Sequence, residues 1–73
     1  MGKQKVPWWQ QPRLAEVVRR IRGADSQETF TRQHLKGVRI ATLSRWENGH
    51  SEPSPVFRDI LEQLARRRRV SLK

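Results

Sequence analysis

The stretch KGVRIATLSRWENG, residues 36–49, predicts a tight turn followed by a short helix with two unlike faces. Lys36-Gly37 favours a turn because glycine adopts a left-handed backbone conformation at little cost. A helix is predicted from about residues 39–40 to Asn48, and Gly49 is a residue type that commonly ends helices. Val38, between the turn and the helix, is predicted to point into the core.

One face of this helix is predicted to be buried. An α-helix advances about 100° per residue, so with Leu43 at the centre of the face, Ile40, Trp46 and Glu47 fall within roughly 60° of it. Trp46 is therefore predicted to be a core residue, since its ring would add a large apolar area to a small domain.

The opposite face is small and polar, and it carries a single charge. Ala41, Arg45 and Asn48 fall on it, with Thr42 and Ser44 on its flanks. Small residues permit close approach, and one arginine can donate two hydrogen bonds to a guanine edge, which suits a helix that enters the DNA major groove. The predicted base contacts are Ala41, Thr42, Ser44 and Arg45.

Amphipathic helices are predicted near both ends of the chain. Pro12 fits the first turn of the first helix, and Gly23 ends it. Ser54 is the predicted cap and Pro55 the first residue of the fourth helix, which runs into the arginines 66–69. Both helices repeat apolar residues at i, i+3, i+4 and i+7. These residues are Leu14, Val17, Val18 and Ile21, and Phe57, Ile60, Leu61 and Leu64.

The second helix has little apolar content. Asp25 or Ser26 is its predicted cap, and Asp25 with Glu28 has the spacing of a capping box. Phe30 and Leu35 are its apolar residues. Followed by the glycine turn, it would cross the third helix as in a helix-turn-helix. The sequence therefore predicts an all-α domain.

Residues 1–11 are predicted to form an arm that is flexible or partly anchored. Residues 12–68 are predicted to form one helix-turn-helix domain, and residues 69–73 a frayed basic tail.

Lys3 and Lys5 either contact a DNA groove or are solvated. Because exposed tryptophans are unfavourable, Trp8 or Trp9 is predicted to pack against the first or fourth helix; a protein-partner surface and stacking on nucleic acid are the alternatives. The arginines 66–69 suit a helix C-terminus, with phosphate or an acidic partner as the alternative contact.

The composition favours an anionic partner, for which nucleic acid, an acidic protein and a membrane surface fit equally well, and gives no sign of an enzyme. Sixteen Lys+Arg against seven Asp+Glu leave a net charge of +9 over 73 residues, which attracts polyanions. The chain has no cysteine, and His34 and His50 lack ligand spacing, so neither a metal site nor a cofactor is predicted. No catalytic constellation is recognisable. The sequence has no apolar run of roughly 20 residues, so no membrane partner is expected. It has no signal-peptide pattern either, so we expect a cytoplasmic protein.

Three segments together resemble the Cro/repressor-type helix-turn-helix family, the XRE family. They are SQETF at 26–30, GVRIATLSRWENG at 37–49 and EPSP at 52–55, while VRRIR at 18–22 resembles the family's first helix. The resemblance covers about residues 14–65. It implies a lambda-repressor-like bundle of four to five helices that binds double-stranded DNA as a transcriptional regulator, usually a repressor and often a homodimer. It also implies a bacterial or phage-type intracellular protein associated with the nucleoid.

The resemblance also implies roles for single residues. The predicted phosphate contacts are Gln27, Thr29, Arg39 and Asn48. The predicted structural residues are Val38, Leu43, Trp46 and Glu47. A buried carboxylate needs a partner, so Glu47 is predicted to pair with Arg20 or Arg22.

The sequence departs from the family pattern at three points. The stretch between Ser26-Gln27 and Gly37 is about two residues longer than usual, so either the second helix begins early or the turn is enlarged. Arg39 replaces a serine that caps the third helix, and the usual fifth helix is not apparent.

Two other functions stay open. An antitoxin-type protein would have the same DNA-binding fold and would neutralise a toxin partner, through Trp8 and Trp9 or through the arginines 66–69. A helical adaptor would bind an acidic protein and have little contact with DNA. Sequence-selective, salt-dependent DNA binding separates the adaptor from the other two functions.

Overall fold

The computed structural model describes residues 7–10 and 13–72, and every regular element within them is a helix. A short 3-10 helix, Trp8–Gln10, is followed by α1 (Leu14–Arg22), α2 (Gln27–His34), α3 (Ile40–Glu47) and α4 (Pro55–Arg68). The predicted all-α class is confirmed as a small bundle with four α-helices. The predictions for Lys3, Lys5 and Pro12 lie outside the described residues.

α1 lies at the centre of the bundle, because it packs against α3, α4 and the 3-10 helix, while α2 packs against α3. The predicted stripe of α1 is completely buried, and Phe57 and Ile60 of α4 are half-buried against the same core. The buried apolar residues are Trp8, Leu14, Val17, Val18, Ile21, Phe30, Leu35, Leu43, Trp46, Leu61, Leu64 and Ala65.

The residue that caps α2 is Ser26. Its Oγ accepts a hydrogen bond from the N–H of Thr29 at 3.1 Å, which satisfies one of the free donors in the first turn. The capping-box pairing of Asp25 with Glu28 is wrong, because the Asp25 carboxylate turns to Arg68 instead. Ser54 occupies the cap position of α4, but its side chain makes no capping hydrogen bond.

α3 and α4 end in the same backbone arrangement. After α3, the N–H of His50 donates to the carbonyl of Arg45 at 2.9 Å, and Gly49 has a φ of 77°. After α4, the N–H of Val70 donates to the carbonyl of Ala65 at 2.8 Å, and Arg69 has a φ of 58°. This Schellman arrangement satisfies free carbonyls at a helix end, and glycine is its usual left-handed residue.

The C-terminal residues pack more closely than a frayed tail would. Val70 and Leu72 are half-buried against the core, held in place by the turn after α4. The expectation of fraying is therefore wrong for residues 70 and 72. A chain of this length buries a small core, so each additional apolar contact matters.

The two adjacent tryptophans are anchored to α4. Trp8 is buried, and its indole Nε1–H donates to Glu62 at 3.1 Å. Trp9 packs edge-on against Trp8, with ring centroids 6.0 Å apart, and the guanidinium of Arg58 lies 4.5 Å from its ring centroid. The N-terminal tryptophans thus extend the hydrophobic core, which is the anchored arrangement among the alternatives that the sequence leaves open.

Candidate nucleic-acid interface

The turn between α2 and α3 is anchored at both ends. Leu35 is fully buried, Val38 is half-buried against the core, and the N–H of Val38 donates to the carbonyl of Leu35 at 2.9 Å. Gly37 between them has a φ of 91°, which favours glycine. α2 begins at Gln27, directly after its cap, and ends at His34, so residues 35–39 form the connection to α3.

The inner face of α3 packs against the rest of the bundle. Leu43, Trp46 and Glu47 are buried, and the Trp46 ring lies 6.0 Å from that of Phe57. Three buried positions on an eight-residue helix fix its rotation about its own axis, so they also determine which residues face outward.

The Glu47 carboxylate is held by two side chains from other helices. Arg22 on α1 donates from Nε at 2.7 Å and from Nη2 at 3.0 Å, and Gln27 on α2 donates at 3.1 Å. Hydrogen bonding to Glu47 is the main cause that raises the pKa of Arg22 above its ordinary value, although burial opposes it. Arg20, the other predicted partner, pairs with Glu16 at the surface instead.

The outer face of α3 has the predicted composition. Ala41, Arg45 and Asn48 are exposed, and Thr42 and Ser44 are half-buried on either side. The Arg45 side chain makes no hydrogen bond or ion pair with any described residue. This leaves its guanidinium free to donate to a ligand.

Asn48 and Ser44 are bound to each other. The Asn48 amide donates to the Ser44 carbonyl at 2.8 Å and to its hydroxyl at 3.2 Å. Two residues predicted to contact DNA in different ways therefore form one local hydrogen-bonded unit. Each keeps further capacity, because the Asn48 amide oxygen can accept a hydrogen bond and the Ser44 hydroxyl keeps its own hydrogen.

The residues predicted to contact phosphate differ in whether their side chains already have an intramolecular hydrogen-bond partner. Arg39 is exposed at the start of α3 and pairs with no described residue. Gln27 donates to Glu47, and the Thr29 hydroxyl accepts from Ser26 at 3.0 Å. Arg39 is therefore available without rearrangement, whereas Gln27 and Thr29 each have an intramolecular partner.

Ile40 lies differently from its predicted position. The sequence predicts Ile40 on the buried face, but 44% of the residue is exposed. The predicted angle from Leu43 put Ile40 at the edge of the inner face, and it occupies the first turn of α3, beside exposed Arg39 and Ala41. Helix rotation alone could not show how far along the helix axis the neighbouring elements extend.

Arg68 joins three helices. Its Nη1 donates to the carbonyls of Ile21 and Arg22 at 2.9 and 3.1 Å, which caps the C-terminus of α1. Its Nη2 lies 3.0 Å from Asp25 and 3.1 Å from the ring nitrogen Nε2 of His34. Among the arginines 66–69, this one has a structural role, and Arg66 pairs with Glu62 at the surface.

Neither a metal cluster nor a membrane-spanning helix occurs in the described part of the chain. Residues 7–10 and 13–72 hold no group of three or more His, Cys, Asp or Glu side chains that could bind a metal ion. Over the same residues, no helix has the length and apolarity to cross a bilayer.

Comparisons with models of known protein families, with curated proteins and with solved structures find no match for this chain.

Proposed function

We propose that this chain is a sequence-specific DNA-binding transcriptional regulator of the XRE type, acting as a repressor, with α3 in the major groove of duplex DNA. The observation that carries the proposal is the outer face of α3. Arg45 stands there without a partner among the described residues, between small side chains. The opposite face of the same helix is fixed by buried Glu47, so the outward residues are held in one orientation.

Arg45 is the central base contact in this proposal. Its planar guanidinium donates two parallel hydrogen bonds to O6 and N7 of a guanine. Ala41, Thr42 and Ser44 lie around it and keep the helix surface low enough to approach base edges. The lack of bulk matters because the major groove is only about 12 Å wide, close to the diameter of a helix with its side chains.

The phosphate contacts flank the helix in this arrangement. Arg39 and Asn48 lie at the two ends of α3; the Arg39 guanidinium is free to donate to a phosphate oxygen, whereas the Asn48 amide would exchange a hydrogen bond to Ser44 for one to a phosphate oxygen. Gln27 keeps one amide hydrogen beyond its bond to Glu47, and Thr29 keeps its hydroxyl hydrogen. These contacts would set the register of α3 and leave sequence discrimination to the base contacts.

The proposal includes a symmetric complex. One α3 reaches a single half-site, and a homodimer on a palindromic operator would double the interface. Bound across a promoter, such a complex blocks transcription by occupying the DNA. In a bacterial or phage-infected cell the protein would then be associated with the nucleoid.

The packing of the tryptophans argues against the antitoxin alternative. Trp8 is buried against α4, so it offers little surface to a toxin. Toxin binding would then depend on the half-buried Trp9 and on exposed arginines such as Arg67 and Arg69. No contact within the described residues favours that partner over DNA.

Selection of bound sequences from a random duplex pool tests the proposal. The full chain should enrich one short motif containing a guanine, arranged as an inverted repeat if the dimer forms. The Arg45→Ala variant should enrich a motif with less preference at one base pair. Absence of any enriched motif, at a salt concentration where the chain still binds DNA, would contradict sequence-specific binding.

A further inference from the structure

The first turn of α3 exposes an apolar side chain. Ile40 is 44% exposed, and its neighbour Ala41 is exposed as well. Val56 on α4 is the other large apolar residue that is exposed in the described part of the chain. Single exposed apolar residues are common on protein surfaces, so exposure by itself indicates nothing. The position of Ile40 on the helix is the informative feature.

Ile40 lies on the same side of α3 as two residues of the outer face. Ile40, Ser44 and Asn48 follow one another at intervals of four residues, so they lie roughly in line along the helix. Asn48 and Ser44 are hydrogen-bonded to each other at the C-terminal end of that line. The N-terminal end is apolar, with Ile40 and Ala41 side by side.

Three unpaired cations lie close to this apolar end in the sequence. Lys36, Arg39 and Arg45 are exposed and form no ion pair within the described residues. The acidic residue of α3, Glu47, lies two turns further along the helix, where it is buried and bound to Arg22. A small apolar surface with a positive border suits a polyanion that presents an apolar group between its charges.

Duplex DNA has such a group in its major groove. The C5-methyl of thymine is the apolar feature among base edges that otherwise present hydrogen-bond donors and acceptors. RNA offers no equivalent, because uracil lacks the methyl group and the A-form major groove is too narrow for side chains.

On the premise of the function proposed above, we infer that Ile40 packs on the C5-methyl group of a thymine. Ile40 thereby specifies an A·T pair near the guanine contacted by Arg45. Ala41 lies beside Ile40 and lets it approach the base edge. Ile40 is thus a specificity-determining residue that acts by shape and apolar contact, without a hydrogen bond.

Replacing thymine by deoxyuridine tests this inference, because the change removes the methyl group and leaves base pairing intact. Each thymine of the selected duplex is replaced in turn, and affinity is measured at constant salt. At one position per half-site, deoxyuridine should weaken binding about three- to fivefold, the factor that corresponds to losing one buried methyl-sized group. Ile40→Ala should weaken binding to the thymine duplex and should bind both duplexes equally.

Val56→Ala is the matched control, since it truncates the other exposed apolar residue, on α4. It should keep the full deoxyuridine effect, and circular dichroism should show all three proteins folded. The inference is overturned if no deoxyuridine position weakens binding, or if Ile40→Ala keeps the same sensitivity as the unmodified chain. In both cases the enriched motif survives, and so does the proposed function. A pool with no enriched motif would overturn both.

Discussion

At the scale of single residues, the contact between Arg22 and Glu47 holds α3 against α1. The Glu47 side chain is 4% exposed and receives two hydrogen bonds from one guanidinium and a third from Gln27. Such a pair adds little net stability over an apolar pair of the same shape, but removing one partner strands a buried charge. The pair also determines which side of α3 faces outward.

Truncation of Arg22 should therefore be costly. Arg22→Ala should lower the free energy of unfolding by about 3–5 kcal/mol, because Glu47 would keep its burial without its cation. Arg20→Ala is the control on the same helix. Its ion pair with Glu16 is 51% and 44% exposed, so it should lose less than about 1 kcal/mol. Urea unfolding followed by circular dichroism measures both. Equal losses would mean that the Arg22–Glu47 contact has no special role.

The sequence predicts the burial of Glu47 correctly and that of Ile40 wrongly, and the difference has a physical reason. Burial of Glu47 follows from its angle to Leu43, because the middle and end of α3 are the parts that are buried and Glu47 binds Arg22 on α1. Ile40 stands at the edge of the same angular range and in the first turn, where packing depends on which neighbouring element extends that far. That information is tertiary, so the sequence pattern alone does not contain it.

At the scale of elements, helix ends are well specified where local chemistry decides them. Gly23, Ser26, Gly49 and Pro55 mark the boundaries that the structure has. The Arg68 contacts could not be predicted in the same way. Arg68 meets Ile21, Arg22 and Asp25 across more than 40 residues of sequence, and no local pattern encodes such a contact.

The ends of α3 and α4 permit a paired test of backbone strain. Gly49 and Arg69 both have positive φ, yet only one of them is glycine. Gly49→Ala should lower stability by about 1 kcal/mol, because a Cβ is disfavoured in that conformation even where space is open. Arg69→Gly should raise stability by up to about 1 kcal/mol for the same reason. Thermal unfolding at low ionic strength measures both, and changes of the same sign would contradict the assignment.

At the scale of the whole molecule, the positive charge is the main feature beyond the fold. Arginines neutralise four of the seven carboxylates: Glu16, Asp25, Glu47 and Glu62. Each ion pair contains one positive and one negative charge, so ion pairing leaves the net charge of +9 unchanged. A chain with this charge should attract DNA of any sequence before it finds a specific site.

The salt dependence of binding should report this electrostatic part. If about five phosphates are neutralised, the logarithm of the binding constant should fall with the logarithm of salt concentration at a slope between about −4 and −5. Fluorescence anisotropy with a labelled duplex at several salt concentrations gives the slope. Arg39→Ala should reduce its magnitude by about one unit if Arg39 contacts a phosphate. A flat response for the unmodified chain would remove nucleic acid as the partner.

The most direct measurement compares Arg45→Ala with Arg67→Ala on the selected duplex and on a scrambled one. Both arginines are exposed and pair with no described residue, but Arg67 lies near the C-terminal end of α4 and not on α3. Arg45→Ala should lose about 1–3 kcal/mol of binding free energy on the selected duplex and much less on the scrambled one. Arg67→Ala should change both affinities equally and by less. Equal losses for Arg45→Ala on the two duplexes would contradict base recognition by α3.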